Sequence, residues 1–227
     1  MNDADESIDL VEEESKIRVE LENWLPRKGD KLFVSGPKAA FVDCTGFTGV
    51  GEERSPVGRR DLYASGYLLA ADRLVDSWCG LAHEDALIYP VFFLYRHYLE
   101  LELKGATSLF LNWLYEGTPE AKERMLGKLV ENHRIRDLWS TLRSLAPAMV
   151  DKMEVEATAA FESLVQEIDD HDSNGQAARY AFYRDKKQTF LGLHEVHLDN
   201  LRTQFGKLSH YLGALEEAIH QEIDPEG

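Results

Sequence analysis

The stretch "YRHYLELELK", residues 95–104, decides the fold, because it sets ionisable residues into one of the most apolar parts of the chain. Arg96, Glu100 and Lys104 are spaced four residues apart, and helix positions three or four apart lie on one face. Apolar residues from Val91 to Trp113 occupy most of the remaining positions. The pattern predicts a long helix at the centre of a bundle, with one polar strip formed by Arg96, Glu100 and Lys104.

The polar strip has two interpretations. An unpaired charge inside a protein is costly, and Glu100 has Arg96 and Lys104 one turn away on either side, so a buried ion-pair ladder would satisfy it. Alternatively, the strip contributes to an active site, with the neighbouring His97 as an acid or base. Both interpretations stay open on the sequence alone.

The chain after Pro56 is predicted to be helical almost to its end. Apolar residues recur at helical spacing, and glycine, proline and Asx residues separate the segments. Residues 58–227 are therefore expected to form a mainly α, up-and-down helical bundle. The expected segments are about 58–80, 85–115 with Gly117 as its cap, one beginning at Thr118-Pro119, one capped by Asn132 and stopped by Pro147, 149–169, and 197–223.

Residues 1–57 form a separate predicted region. Residues 1–25 are densely acidic with intermittent apolar positions, which is typical of a short amphipathic helix or an interaction arm that Pro26 ends. The runs "KLFV" at 31–34 and "AAFVDC" at 39–44 are β-like and are punctuated by glycine and proline, which predicts a small irregular or hairpin segment.

Composition excludes several classes of function. A net charge of −16 opposes general DNA binding, which relies on clustered Lys and Arg. The sequence contains no run of about 18 apolar residues, so no membrane span is expected. The acidic N-terminus does not have the pattern of a signal peptide, so a cytoplasmic protein is expected. Cys44 and Cys79 are too few for a disulfide framework or a zinc site.

Two motifs resemble metal sites without completing one. Asp170, Asp172, Asn174 and Gly175 follow the first half of a calcium-binding loop, but Ala181 stands where that loop needs a bidentate Glu. The pair formed by His194 and His197 could converge on an ion, yet a site needs at least one further ligand from elsewhere. The sequence predicts neither a metal nor a cofactor.

The strongest candidates for a ligand site combine the polar strip with residues far along the chain. If the start of the helix near His133 lies against the strip, a pocket of Arg, His and Glu side chains results, suited to a nucleotide or a phosphate. His97 and His133 are the candidate catalytic residues. The alternative is that these buried polar groups only fix helix register. The candidate ligand-binding residues are Arg96, Glu100, Lys104, His133, Arg179 and Tyr180.

The order of three motifs resembles the HEPN-like helical domains of bacteria. These motifs are "RHYLELELK" at 96–104, "HRIRDLW" at 133–139 and "ARYAFYRD" at 178–185, and the resemblance covers about residues 60–222. It implies a homodimeric bundle with a protein partner or a nucleotide or RNA ligand, in a toxin–antitoxin or phage-defence setting.

The chain departs from the ribonucleases of that family. Those enzymes carry an Arg followed four to six residues later by His, and every histidine of this chain lacks an arginine in that window. We therefore expect a non-catalytic module that dimerises and binds a partner or a nucleotide. The alternative is a metal-independent endoribonuclease with a non-standard Arg and His set; a further one is a structural subunit whose acidic arm docks onto a basic protein.

Overall fold

The computed structural model describes residues 56–181, 189–190, 192–193 and 195–225, so the predictions for the acidic arm and the β-like runs lie outside it. Within the described residues the chain forms seven α-helices, one short 3-10 helix and no strand, which confirms the mainly α bundle. The elements are α1 (Pro56–Ser77), the 3-10 helix (Ala82–Leu87), α2 (Ile88–Trp113), α3 (Pro119–Glu131), α4 (Ile135–Leu145), α5 (Pro147–Val150), α6 (Val155–His171) and α7 (Leu198–Ile223).

Helix α2 is the central element, as the opening stretch predicts. It packs along α1 and also contacts α3, α4 and α7. Ala64 and Ala71 on α1 are fully buried, and such small side chains allow two helix backbones to approach closely. Tyr95 on α2 stacks on Phe205 of α7 with 4.8 Å between ring centroids. The middle of α2 is thus covered on its apolar sides, and its polar strip faces the α3–α4 connection and the loop after α6.

An aromatic cluster lies in the core between α4, α6 and α7. Trp139 of α4, Phe161 of α6 and Tyr211 of α7 form one cluster, in which the rings of Phe161 and Tyr211 stack at 4.5 Å. Together with the buried leucines and isoleucines of α4 and α7, this cluster forms part of a core to which all seven described α-helices contribute. No helix in the described ranges is long and apolar enough to cross a membrane.

The ends of α2 differ from the prediction. The helix begins at Ile88 because the preceding residues form the 3-10 turn, and it ends at Trp113, where the Leu114 N–H still bonds to the Phe110 carbonyl. Gly117 is not the cap. A Cβ at Gly117 would lie 2.2 Å from the ring of Tyr115, so the glycine allows that ring to fold back onto the chain.

The predicted start of α3 is confirmed, since Thr118 accepts a hydrogen bond from the Ala121 N–H and Pro119 is the first helical residue. The predicted Asn132 cap is wrong: its side chain accepts from the Arg134 N–H at 3.0 Å, so it shapes the turn, and Arg134 precedes α4. Pro147 begins the short helix α5 rather than only ending α4, because proline is tolerated in a first helical turn.

Candidate functional site

The polar strip on α2 forms the predicted ladder. Arg96 and Glu100 are 2% and 4% exposed, so both charges are removed from water. Arg96 Nη1 lies 3.1 Å from Glu100 Oε2, and Lys104 Nζ lies 3.0 Å from Glu100 Oε1. The carboxylate is therefore neutralised from both sides, as the four-residue spacing predicts.

Arg96 also binds two distant segments. Its Nε donates to the Asp172 carbonyl at 3.2 Å and lies 3.4 Å from Asp172 Oδ2, and its Nη2 donates to the His133 carbonyl at 2.5 Å. One guanidinium thus joins α2 to the α3–α4 connection and to the loop after α6. No local pattern in the sequence predicts the Asp172 contact, which spans 76 positions.

The loop after α6 is built around this arginine. Asp172 Oδ1 accepts from the backbone N–H groups of Gln176 and Ala177 at 2.8 and 3.0 Å. Gly175 has a φ of +74°, and a Cβ there would lie 2.6 Å from Arg96 Nη1. Two of the residues that imitate a calcium loop in the sequence, Asp172 and Gly175, therefore lie in a turn against a cation of the protein itself, whereas Asp170 belongs to α6.

Glu100 orients His133. Its Oε1 lies 2.8 Å from His133 Nδ1. Burial opposes ionisation of Glu100, but hydrogen bonds from His133 and Lys104 and the charges of Lys104 and Arg96 outweigh it and hold the pKa of the carboxyl below its ordinary value. An ionised carboxylate only accepts hydrogen bonds, so Nδ1 of His133 carries the hydrogen. The His133 side chain is 59% exposed, which leaves Nε2 as the free nitrogen of the ring.

His97, the other candidate catalytic residue, has different partners. Its ring packs edge-on against Tyr67 at 4.5 Å and stacks on Phe93 at 5.7 Å. Burial lowers the pKa of His97, although the charge of Glu100 acts in the opposite direction. A half-buried imidazole between two aromatic rings is suited to packing rather than to proton transfer with a ligand.

Arg179 and Tyr180 lie on the loop that Arg96 holds. Arg179 Nε donates to the Gly175 carbonyl at 2.9 Å, and its guanidinium lies over the rings of Phe93 and Tyr180 at 5.8 and 5.6 Å. Both side chains are exposed, Tyr180 by 57%. The structure therefore brings five of the six predicted ligand residues together through Arg96 and Gly175, with Tyr180 beside Arg179.

A cavity of about 390 Å³ opens beside Arg179. Thr189 closes one side: its hydroxyl lies 3.0 Å from the Tyr180 carbonyl and 3.2 Å from that of Ala181. Sequence analysis missed Tyr89 and Thr189, because no spacing rule joins positions so far apart. The lining residues are Tyr89, Ala177, Ala178, Arg179, Tyr180, Ala181 and Thr189.

Arg134 adds a partly exposed guanidinium next to His133 in the chain. Its side chain is half exposed, and Nη2 lies 3.2 Å from the buried carboxylate of Asp169. We define the ligand edge as His133, Arg134, Arg179 and Tyr180. Among the described residues, no three His, Cys, Asp or Glu side chains are grouped so as to hold a metal ion.

The chain matches no known family model, no curated protein and no solved structure. The chemistry of the ligand edge therefore has to be judged from the residues of this chain. Two exposed guanidiniums, one oriented imidazole and one exposed phenol ring can bind an anion that carries further hydrogen-bonding or aromatic groups.

Proposed function

We propose that the protein is a non-catalytic, dimerising helical module of the HEPN-like type that binds a nucleotide-type ligand at the ligand edge. The observation that carries this proposal is the contrast in exposure between its two arginines, Arg96 and Arg179. Arg96 is enclosed, with all three guanidinium nitrogens bound inside the protein, whereas Arg179 and His133 are exposed. A ligand can meet the exposed groups without disturbing the buried ones.

The exposed groups match the parts of a nucleotide. A guanidinium is planar and can bind a phosphate with two parallel hydrogen bonds. The ring of Tyr180 can stack on a base, which contributes about 1–3 kcal/mol in proteins that bind single-stranded nucleic acids. Because the chain carries a net charge of −16, these few cations support a small ligand better than a long polyanion.

The HEPN-like resemblance is the basis for proposing dimerisation and a protein partner. Homodimers are the commonest closed assemblies, and the family implies one. Light scattering on the full chain checks this part of the proposal: we expect twice the mass of one chain. A monomer at all accessible concentrations, together with no partner recovered by affinity purification, would contradict it.

Ligand binding is tested by calorimetry with the four ribonucleoside 5′-monophosphates. We expect binding by the full chain, and Arg179→Gln should weaken it at least tenfold, since it removes the charge and the planar donor pair. Arg143→Gln is the matched control, because Arg143 is also about half exposed but pairs with Glu162 on α6. No heat of binding from any monophosphate would contradict the nucleotide part of the proposal.

A second function is supported by one specific contact. His133 is held at Nδ1 by a buried carboxylate and presents Nε2 outward, which is how a general base is oriented in many hydrolases. In this alternative the chain is a metal-independent endoribonuclease, with Arg179 or Arg134 stabilising the phosphate. Degradation of total RNA in the presence of a chelator, abolished by His133→Ala, would favour it; intact RNA at high protein concentration would contradict it.

A further inference from the structure

We infer that the cavity beside Arg179 binds a small molecule with a flat aromatic ring and one anionic group, the ring lying in the cavity and the anion on Arg179. This inference rests on the proposed function, since it specifies the ligand chemistry of the same edge. The size of the cavity, its aromatic walls and the charge of Arg179 support this ligand class.

The size of the cavity suits a small molecule. A volume of about 390 Å³ lies within the range of pockets that bind small ligands. Three of the lining residues are alanines, at positions 177, 178 and 181, whose side chains take up little space. The bulk of this wall is backbone, so a planar group can approach it closely.

The walls are suited to an aromatic ring. Tyr89 at the start of α2 is 50% exposed and Tyr180 is 57% exposed, so each leaves much of its surface open to a partner. Aromatic rings gain from stacked or edge-to-face contact beyond the burial of their area. Two exposed tyrosines lining one small cavity therefore favour a ligand that offers a ring to either or both.

The charge of the cavity is set by Arg179. Among the lining residues that the structure describes, it alone has a charged side chain, and its position is fixed by the Gly175 carbonyl and by the rings of Phe93 and Tyr180. A single guanidinium can bind one carboxylate or one phosphate group through two parallel hydrogen bonds. The ligand class is thus an aromatic monophosphate or an aromatic carboxylate, rather than a polymer with many phosphates.

Thr189 contributes to the shape of the cavity rather than to contact with the ligand. It is 6% exposed, and its hydroxyl lies against the carbonyls of Tyr180 and Ala181. These contacts connect residue 189 to the segment that carries the arginine. The residues that we expect to touch the ligand are Arg179, Tyr180 and Tyr89.

The test measures binding of five probes to the full chain by calorimetry. AMP and GMP carry a ring and a phosphate, indole-3-carboxylate carries a ring and a carboxylate, ribose 5-phosphate has the anion without a ring, and adenosine has the ring without the anion. We expect AMP, GMP or the carboxylate to bind at least tenfold more tightly than both ribose 5-phosphate and adenosine.

Variants of Tyr180 separate the contribution of its ring to binding from a general effect of changing an exposed residue. Tyr180→Leu should weaken binding of the best probe by on the order of tenfold, and Tyr180→Phe should retain it, because the ring is kept. Tyr63→Leu is the matched control: Tyr63 on α1 is 58% exposed, close to the value for Tyr180, and it does not line the cavity. Circular dichroism confirms that each variant is folded.

The outcomes distinguish this inference from the proposed function. Binding of indole-3-carboxylate but of neither nucleotide would support the cavity and overturn the nucleotide ligand. Equal binding of ribose 5-phosphate and AMP, unaffected by Tyr180→Leu but lost in Arg179→Gln, would overturn the ring site and leave the proposed function standing. Equal binding of adenosine and AMP would overturn the role of the anion, and no binding of any probe would overturn both.

Discussion

Two arginines lie beside Gly175, and their surroundings differ. Arg96 is 2% exposed and bonds to Glu100, Asp172 and the His133 carbonyl, whereas Arg179 is exposed and bonds to the Gly175 carbonyl while lying over two rings. The buried arginine joins α2 to the segments that carry His133 and Arg179, and the exposed arginine is the one to which we assign the proposed ligand.

The same difference predicts opposite responses to mutation. Removing one partner of a buried charge network leaves the others uncompensated, which costs about 3–5 kcal/mol. Exposed charged contacts contribute roughly 0–1 kcal/mol. Changes in the buried network should therefore act on the free energy of unfolding, and changes at the ligand edge should act on binding.

Arg96→Met should have the largest effect on stability. It leaves the carboxylates of Glu100 and Asp172 without the guanidinium. We therefore expect the free energy of unfolding, measured by urea titration, to fall by about 3–5 kcal/mol. Lys152→Met is the control, since Lys152 forms an exposed pair with Glu222 and should change stability by less than about 1 kcal/mol. Equal effects of the two substitutions would contradict the central role of Arg96.

Gly175→Ala should come next. A side chain is disfavoured at a φ of +74°, and its Cβ would lie 2.6 Å from Arg96 Nη1, so we expect a loss of about 2–3 kcal/mol. Gly66→Ala is the matched control on α1, where nothing lies within 4 Å of an added Cβ. That control should be neutral or stabilise by about 0.5–1 kcal/mol, because alanine favours a helix interior.

Acid should weaken the buried network through Glu100. The folded-state pKa of this carboxyl lies below its ordinary value, so its contribution to stability is present above the unfolded-state pKa and is lost as the pH falls through the folded-state pKa. Urea unfolding of the parent chain and of Glu100→Gln at neutral pH and near pH 3 measures this. The stability difference between them should shrink in acid; a constant difference would contradict the pKa shift.

Arg179→Gln should have the smallest effect on stability. Its side chain is exposed, and cation–π contacts at exposed sites contribute about 0.5–1 kcal/mol, so the free energy of unfolding should change by no more than that. Thermal or urea unfolding checks it beside Arg96→Met. A loss comparable to that of Arg96→Met would place Arg179 in the structural network instead of at the ligand edge.

Local spacing explains what the sequence could predict. The pairing of Arg96, Glu100 and Lys104 follows from the four-residue period of a helix, and the Thr118-Pro119 start of α3 follows from capping chemistry. These features depend on residues within one or two turns of each other, where the geometry of the chain is fixed. Asn132 shows the limit, since a capping residue can serve a turn just before the helix instead.

Long-range contacts account for the features that the sequence could not predict. The Arg96–Asp172 contact and the cavity between Tyr89 and Thr189 depend on how the loops after α6 fold against α2. The sequence from Asp172 to Gly175 predicts a turn, but no neighbouring residue indicates that this turn lies against Arg96, 76 positions before Asp172. Proximity of His133 to the polar strip could be proposed from the motifs, and the structure supplies its direct contact with Glu100.

The affinity of the Arg179→Gln variant for AMP, measured by calorimetry beside the parent chain, tests the central claim most directly. With Arg179 as the ligand arginine and Arg96 as the structural one, the variant should bind AMP at least tenfold more weakly while its unfolding midpoint stays close to that of the parent chain. AMP binding of unchanged affinity in a folded variant would contradict the assignment of Arg179 to the ligand.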